Sequence, residues 1–318
     1  MIKRVFTLFM AFITVLTLAA CGKENTETGE TGESIEELKA AADAVINAIV
    51  VPEDIDPSAV QGLEDGVFTV AMECAYTPFN WTQMDDSNSA VPISNVSGSY
   101  ANGYDVMIAK TICDIYGWEL EVVSSGWDSL TPGVQSGIYD ANIAGQSMTA
   151  ERMEVVDMAG PYYYADIVIV TTKGSEYANA KGIQDLAGGT CTAQSGTVWY
   201  SSCLPQIPDV NLLAPADTAP SMIMTLTTGQ CDFICTDVPT AIAASMKNPD
   251  LVTLNFAGTE GDFQFATEEE RSGNVNAGIS IQKGNETLLN AMNAVLNQIE
   301  RDDFNVIMNY AIAIQPEI

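Results

Sequence analysis

Histidine is absent from all 318 residues. That removes His-based nucleophilic triads and histidine-ligated zinc sites, and it counts strongly against most hydrolases. Basic residues are scarce as well, with 12 Lys and Arg against 42 Asp and Glu and a net charge of −30. Such acidity opposes nucleic-acid phosphates and anionic membrane surfaces, and suits a soluble surface exposed to salt. Zinc-ligand spacing is missing among Cys74, Cys113, Cys191, Cys203, Cys231 and Cys235, so no metal and no cofactor is expected. Disulfides are permitted outside the cell. Cys191 and Cys235 could face each other on neighbouring strands, or all six could be buried thiols, and the residues alone do not choose.

What is present begins with an export signal. Lys3 and Arg4 precede an apolar run from Val5, which ends in Leu18-Ala19-Ala20-Cys21. Residues 1–21 read as a signal peptide of marginal length for a membrane span, closing in a lipobox whose Cys21 receives a lipid. A lipid there would hold a soluble domain on the outer face of the cytoplasmic membrane, each buried methylene contributing ~0.8 kcal/mol. Losing Lys3 and Arg4 with the leader makes the chain two units more negative still. Residues 22–65 form a tether and an N-terminal helix. Lys23–Gly32 is Glu/Thr/Gly-rich and disordered in character. Ser34-Ile-Glu-Glu37 is a capping-box pattern opening a helix to Val50, either packed on the domain or serving as a stalk.

Asp140–Asp166 organises the remainder. It opens as an apolar strand over Ala141–Ala144, breaks at Gly145, and then presents Ser147, Thr149 and Arg152. Hydroxyls and a guanidinium at a strand end make an anion-recognising lip, because ligands of open α/β sheets sit beyond the carboxyl ends of strands. The arrangement recurs. Trp127–Ala144 runs helix, Gly137, Asp140, apolar strand; the segment after Ala219 runs helix, Gly229, Asp232, apolar strand, ending at Thr236–Asp237. Two α/β lobes, each aiming a polar strand end outward, imply a cleft between them.

Other elements fit around this repeat. Strands are expected at Val67–Met72, Trp118–Val123, Ile167–Thr172, Gly189–Ala193 and Val275–Gln282, with an amphipathic helix over Tyr104–Tyr116 closed by Gly117, and Asp128 capping the helix beyond Trp127. Asp85–Asn102, rich in Ser, Asn and Gly, reads as a surface insertion, and its Asn95-Val-Ser97 carries little weight as a glycosylation sequon. Gln194–Val198 leads into a helix whose N-terminal amides suit an anion. Asn285–Ala313 reads mostly as one long helix closing the first lobe. Crossings near Tyr163–Asp166 and Gly273–Gly278 would form a hinge.

The run PFNW…GYDVMIAKTICDIYG…WDSLTPGVQSGIYDANIAGQSMTAERMEVVDMAGPYYY…GISIQKGN resembles the family-3 solute-binding proteins of amino-acid ABC transporters, from about Gly66 to the C-terminus. The resemblance implies an α/β, periplasmic-binding-protein-like fold of type II. Lobe 1 would comprise 66–165 plus 275–318 and lobe 2 would comprise 166–274, joined by a two-crossing hinge. It also places residues. Arg152 matches the clamp on a ligand α-carboxylate, helped by Ser147 and the backbone at Gly145. Thr197 and Val198 match a loop whose amide reaches that carboxylate, although Val198 replaces a common hydroxyl residue. Asp237 matches the acid that pairs the α-ammonium, Tyr76 and Trp127 the aromatic walls, and Glu73 a position that reads the side-chain tip. Gln194 lines the same loop.

Each residue also has a plainer role open to it. Asp237 could cap a helix, Tyr76 and Trp127 could belong to the core, Arg152 could pair Glu154 or Asp157, and Glu73 could be solvated. The implied partners are an amino acid and an ABC permease, with the protein acting as a lipid-anchored monomer outside the cell. Charge counting favours a basic ligand: Arg152 and Asp237 balance the zwitterion and leave Glu73 over, so a cationic tip spares it from being buried unpaired. Arginine ranks first, then lysine, ornithine or histidine, with glutamine or cystine as the neutral alternative. A dehydratase or lyase on the same fold is a rival reading, for which Glu73 is the one candidate acid or base.

Overall fold

The computed structural model describes residues 33–316. The signal peptide, Cys21 and the tether to Gly32 therefore lie outside the described residues.

Two five-stranded sheets form the frame, with the same strand logic in each. In the first, Glu119–Ser124, Val67–Met72 and Ala141–Asn142 run parallel, and Asn276–Gln282 then lies antiparallel between Ala141–Asn142 and Val156–Tyr164. In the second, Asn211–Leu212, Thr190–Thr192 and Phe233–Asp237 run parallel, and Ile167–Thr172 lies antiparallel between Phe233–Asp237 and Leu251–Leu254. Strands in such sheets are covered on both faces and read as continuous apolar runs. Phe68, Val70, Ile169, Val170, Phe233, Ile234, Ile279 and Ile281 are accordingly buried.

The chain passes between the sheets twice, once from Val156–Tyr164 into Ile167–Thr172 and once from helix Glu268–Val275 into Asn276–Gln282. These passages run side by side. Asn276 and Ala277 pair with Tyr164 and Tyr163, and the Ala165 amide donates to the Val275 carbonyl at 3.2 Å. Adjacent crossings confine relative motion of the two halves to a bend about one line.

Several expectations need revising. The segment expected as one long helix is two, Glu286–Leu296 and Arg301–Ile314, with a break between. The strand expected over Ala141–Ala144 is shorter, Ala141–Asn142, with the Ile143 amide still donating to the Ala71 carbonyl at 3.2 Å beyond it. Trp127–Gln135 has no side-chain cap, so Asp128 sits in its first turn instead of capping it. Asp85–Asn102 is more than a surface insertion: Val91–Pro92 and Tyr100–Asn102 join Asn80–Gln83 and Ala75–Tyr76 in a four-stranded antiparallel sheet. Asn95 ties this sheet to the frame, donating to the Ser124 carbonyl at 2.8 Å and accepting from the Ser124 amide at 3.0 Å.

The N-terminal helix Ile35–Asn47 packs on the domain. Ser34 and Glu37 form the capping box, Leu38 and Ala42 are buried, and the helix lies along Arg301–Ile314. Gln298 then fixes the chain beyond it, exchanging two 3.0 Å hydrogen bonds with the main chain of Val50. All six cysteines of the described residues are free thiols in the core. Cys191 pairs in register with Phe233, not Cys235.

Candidate ligand-binding site

Parallel strands of the two sheets end facing one another, and the residues just beyond those ends meet across the boundary. Val67–Met72 delivers Glu73, Cys74 and Tyr76. Ala141–Asn142 delivers Gly145–Ser147, followed by the short helix Ala150–Val155 that carries Arg152. Thr149 caps that helix, its hydroxyl accepting from the Arg152 amide at 3.2 Å. From the second sheet, Thr190–Thr192 leads to Gln194–Val198, and Phe233–Asp237 ends on Asp237 itself.

Among the described residues, three side-chain hydrogen bonds reach across between these strand ends. The Arg152 guanidinium donates to the Ser147 carbonyl at 2.9 Å on its own side and to the Gly196 carbonyl at 3.1 Å on the other. Gln194 donates to Glu73 at 3.3 Å. The Tyr76 hydroxyl donates to the Asp237 carboxylate. All nine ligand-contact residues expected from the sequence lie in or beside this junction.

Their individual settings differ from simple expectation. Trp127 stands over Arg152, with the guanidinium carbon 5.7 Å from the ring centroid, where the ring quadrupole attracts a cation. Gly196, at φ +65°, passes so close beneath that a Cβ would sit 3.0 Å from Trp127 Nε1. Tyr76 is buried, stacked on Phe79 at 4.9 Å between centroids. Its ring presses on Gly145, where a Cβ would come within 2.7 Å. Thr197 uses its hydroxyl proton on the Gln194 carbonyl at 2.7 Å, closing the loop, and Val198 packs half-buried against the core. Asp237 is both a helix cap and a cleft acid: one oxygen accepts the Thr240 amide at 2.8 Å, and the other takes the Tyr76 and Thr240 hydroxyls.

The charges are poorly compensated within the protein. Among the described residues no carboxylate lies within ion-pair distance of Arg152, and Asp157 pairs instead with Lys283 at 2.9 Å. Burial lowers the Arg152 pKa to about 10, still fully cationic at neutral pH. Among the described residues Glu73 faces no cation, and one of its carboxylate oxygens has no hydrogen-bond partner. Burial raises its pKa to about 7, the Gln194 amide opposing and the nearby Asp128 charge adding to the rise. Burial also raises Asp237, against the hydrogen bonds from Tyr76 and Thr240. A half-buried cation whose hydrogen bonds go only to carbonyls suits a carboxylate, and buried carboxylates without cations suit positively charged groups.

A cavity of about 20 Å³ lies among Phe79, Gly145, Ser147, Trp199 and Asp237. That holds a water molecule but no amino acid. Among the described residues no group of three or more Cys, Asp or Glu side chains could hold a metal ion. Sequence reading undervalued Gln194, the residue that reaches across to Glu73. It also passed over Asn80, Asp105 and Tyr162, all wholly buried behind the junction.

Two α/β lobes of matching topology, joined by paired crossings and meeting at their strand ends, define a periplasmic-binding-protein fold of type II. Residues 68–309 match the bacterial extracellular solute-binding proteins, family 3, and the chain belongs to that family. It is 26% identical over 200 residues to ABC transporter arginine-binding protein 1 of Escherichia coli (strain K12), covering 63% of this chain and 76% of the relative. It is also 26% identical over 239 residues to the L-cystine-binding protein TcyJ of the same organism, covering 75% and 79%. The arginine-bound form of truncated ArgBP from T. maritima superposes with a TM-score of 0.57 at 28% identity, over 74% of this chain and 98% of that one.

Proposed function

We propose that this chain is the substrate-binding subunit of an ABC importer, exported and anchored through Cys21, and that it captures a basic amino acid, arginine first. The observation that carries the reading is the pattern of unsatisfied charge at the junction. Among the described residues Arg152 has no carboxylate, and Glu73 has neither a cation nor a partner for its second oxygen. An amino acid with a cationic tip satisfies all of it. Its α-carboxylate replaces the Gly196 carbonyl on Arg152, its ammonium takes the place of the Tyr76 proton on Asp237, and its side chain meets Glu73 and Gln194. Relatives named for arginine and for cystine support the amino-acid class and leave the tip to be decided by Glu73.

Binding itself is mechanical. The lobes part about the paired crossings, ligand settles on one lobe, and closure brings the second lobe's groups onto it. Contacts from both sides favour the closed form, because a ligand shifts an equilibrium by its differential affinity for the two states. The closed shape is then what a permease would recognise. No bond of the ligand is broken, and the protein acts as a carrier and not an enzyme.

A thermal-shift panel tests the assignment, since a ligand that binds only the folded chain raises its melting temperature. Arginine should give the largest shift, followed by lysine, ornithine and histidine, then glutamine and cystine. A larger shift from glutamate or from leucine would overturn the ligand class.

A further inference from the structure

One buried acid takes no part in the contacts described so far. Asp105, in the first turn of helix Tyr104–Tyr116, has no exposed surface and, among the described residues, no lysine or arginine within ion-pair distance. Its two oxygens are engaged by two wholly buried side chains. Asn80 donates to one at 2.7 Å, and the Tyr162 hydroxyl donates to the other at 2.7 Å. Each of these partners in turn accepts a main-chain amide: Asn80 from Cys74 at 2.6 Å, and Tyr162 from Gly145 at 2.7 Å.

Those two amides belong to the turns that carry the first lobe's side of the cleft. Cys74 directly follows Glu73, and Gly145 begins the Gly145–Ser147 lip that leads to Arg152. Both turns adopt left-handed backbone, with φ +55° at Cys74 and +64° at Gly145. For a residue with a Cβ that conformation is uncommon and persists only when its surroundings hold it. Burying a carboxylate without a cation is costly, and the rise of the Asp105 pKa to about 7, caused by burial and opposed by Tyr162 and Asn80, reflects that cost. Apolar side chains could fill the same space. They could not hold two amides from two different strand ends in a fixed relation.

We propose that Asp105 is a positioning residue for the ligand site: through Asn80 and Tyr162 it sets the spacing between the turn that presents Glu73 and the turn that presents Ser147 and Arg152. This rests on the amino-acid-binding reading. In that setting it acts on the geometry that relates the ligand's side-chain tip to its α-carboxylate. The three side chains come from a strand, a helix and the hinge-proximal strand Val156–Tyr164, so the brace also ties the lip to the lobe crossing.

The network makes a distinctive prediction because its donors and acceptors alternate. Asp105→Asn keeps an acceptor for Tyr162 but sets amide against amide at Asn80, releasing the hold on Cys74. Adding Asn80→Asp restores the order. The new carboxylate at position 80 accepts from the Cys74 amide and from the new amide at position 105, whose oxygen still accepts from Tyr162. Tyr162→Phe cuts the Gly145 arm alone.

The test measures L-arginine affinity by calorimetry on the full mature chain, together with hydrogen exchange at the Cys74 and Gly145 amides. It is run at a temperature where circular dichroism shows each variant folded. Tyr162→Phe and Asp105→Asn should each weaken arginine by roughly tenfold or more, the scale of one lost charge-assisted hydrogen bond. Exchange should speed up at Gly145 in the first variant and at Cys74 in the second. Asn80→Asp/Asp105→Asn should recover most of the affinity and the Cys74 protection, which a merely destabilised core would not do. Wild-type affinity in both folded single variants, or a double variant no better than Asp105→Asn, overturns the proposal. Should Asp105→Asn not fold, Tyr162→Phe and the double variant decide alone. If the wild-type chain binds no amino acid, the transport reading fails, and unchanged Gly145 exchange in Tyr162→Phe would separately sink the brace.

Discussion

Arginine binding should weaken steeply in acid, and the reason is Glu73. Its carboxyl titrates at about 7 in the structure, raised by burial and by Asp128 against the Gln194 hydrogen bond. A cationic tip binds the ionised form, so affinity falls with the ionised fraction: roughly tenfold per pH unit below the pKa, or about a hundredfold at two units below. Glutamine, whose tip is neutral, accepts either form and should lose far less. Asp237 and Asp105 also have raised pKa values but serve both ligands alike. The arginine-to-glutamine affinity ratio therefore isolates Glu73.

Stability moves the other way. The folded pKa lies above the ordinary 4.5, so between about 4.5 and 7 the folded chain holds a proton that the unfolded chain releases. Glu73 thus destabilises the ligand-free fold at neutral pH, by on the order of 3 kcal/mol, and this penalty disappears as pH falls through that window. Calorimetry from about pH 8 to about pH 5, with melting curves alongside, reads both trends in wild type and in Glu73→Gln. The variant should bind arginine weakly with a flattened pH profile. An arginine affinity in wild type that stays flat across the range would refute the argument that Glu73 meets the ligand's charge.

Three further outcomes follow from named contacts. Arg152→Ala should fold normally but lose roughly 3–5 kcal/mol of binding, two to three decades or more, and near-native affinity by calorimetry would remove Arg152 from the site. Gly196→Ala should weaken binding about tenfold or more, because its Cβ meets Trp127 across the closing boundary and the left-handed backbone costs ~1–2 kcal/mol; unchanged affinity would show that the Gly196–Trp127 approach is no part of the bound form. Cys21→Ser should abolish incorporation of labelled fatty acid, and label retained by the variant would contradict the lipid anchor.

The doubly repeated unit of helix, glycine, aspartate and apolar strand was legible because it is local: each copy lies within about twenty residues and shows in the spacing of Gly137 with Asp140 and Gly229 with Asp232. Candidate site residues stand out in the sequence where they sit beside such a strand end, as Ser147, Arg152 and Asp237 do. What escaped was non-local. Asp105 looks like an ordinary acid in the first turn of a helix, favoured there by the helix dipole and expected in solvent. Only the packing of Asn80 and Tyr162, from 25 residues before it and 57 after it, shows that it is buried. Asp85–Asn102 misled for a related reason. Val91–Pro92 pairs with Tyr100–Asn102, which pairs in turn with Asn80–Gln83, and strands of two and three residues leave no periodic signal. The break between Glu286–Leu296 and Arg301–Ile314 carries neither proline nor glycine, the usual punctuation of a helix end.

Competitive calorimetry at neutral pH tests the central claim most directly, with the full mature chain titrated by L-arginine in the presence and absence of L-glutamine, L-cystine and L-glutamate. A single site is expected, at which arginine binds most tightly and glutamate competes least. Tighter binding of glutamate than arginine, or no heat from any of the four, would contradict it.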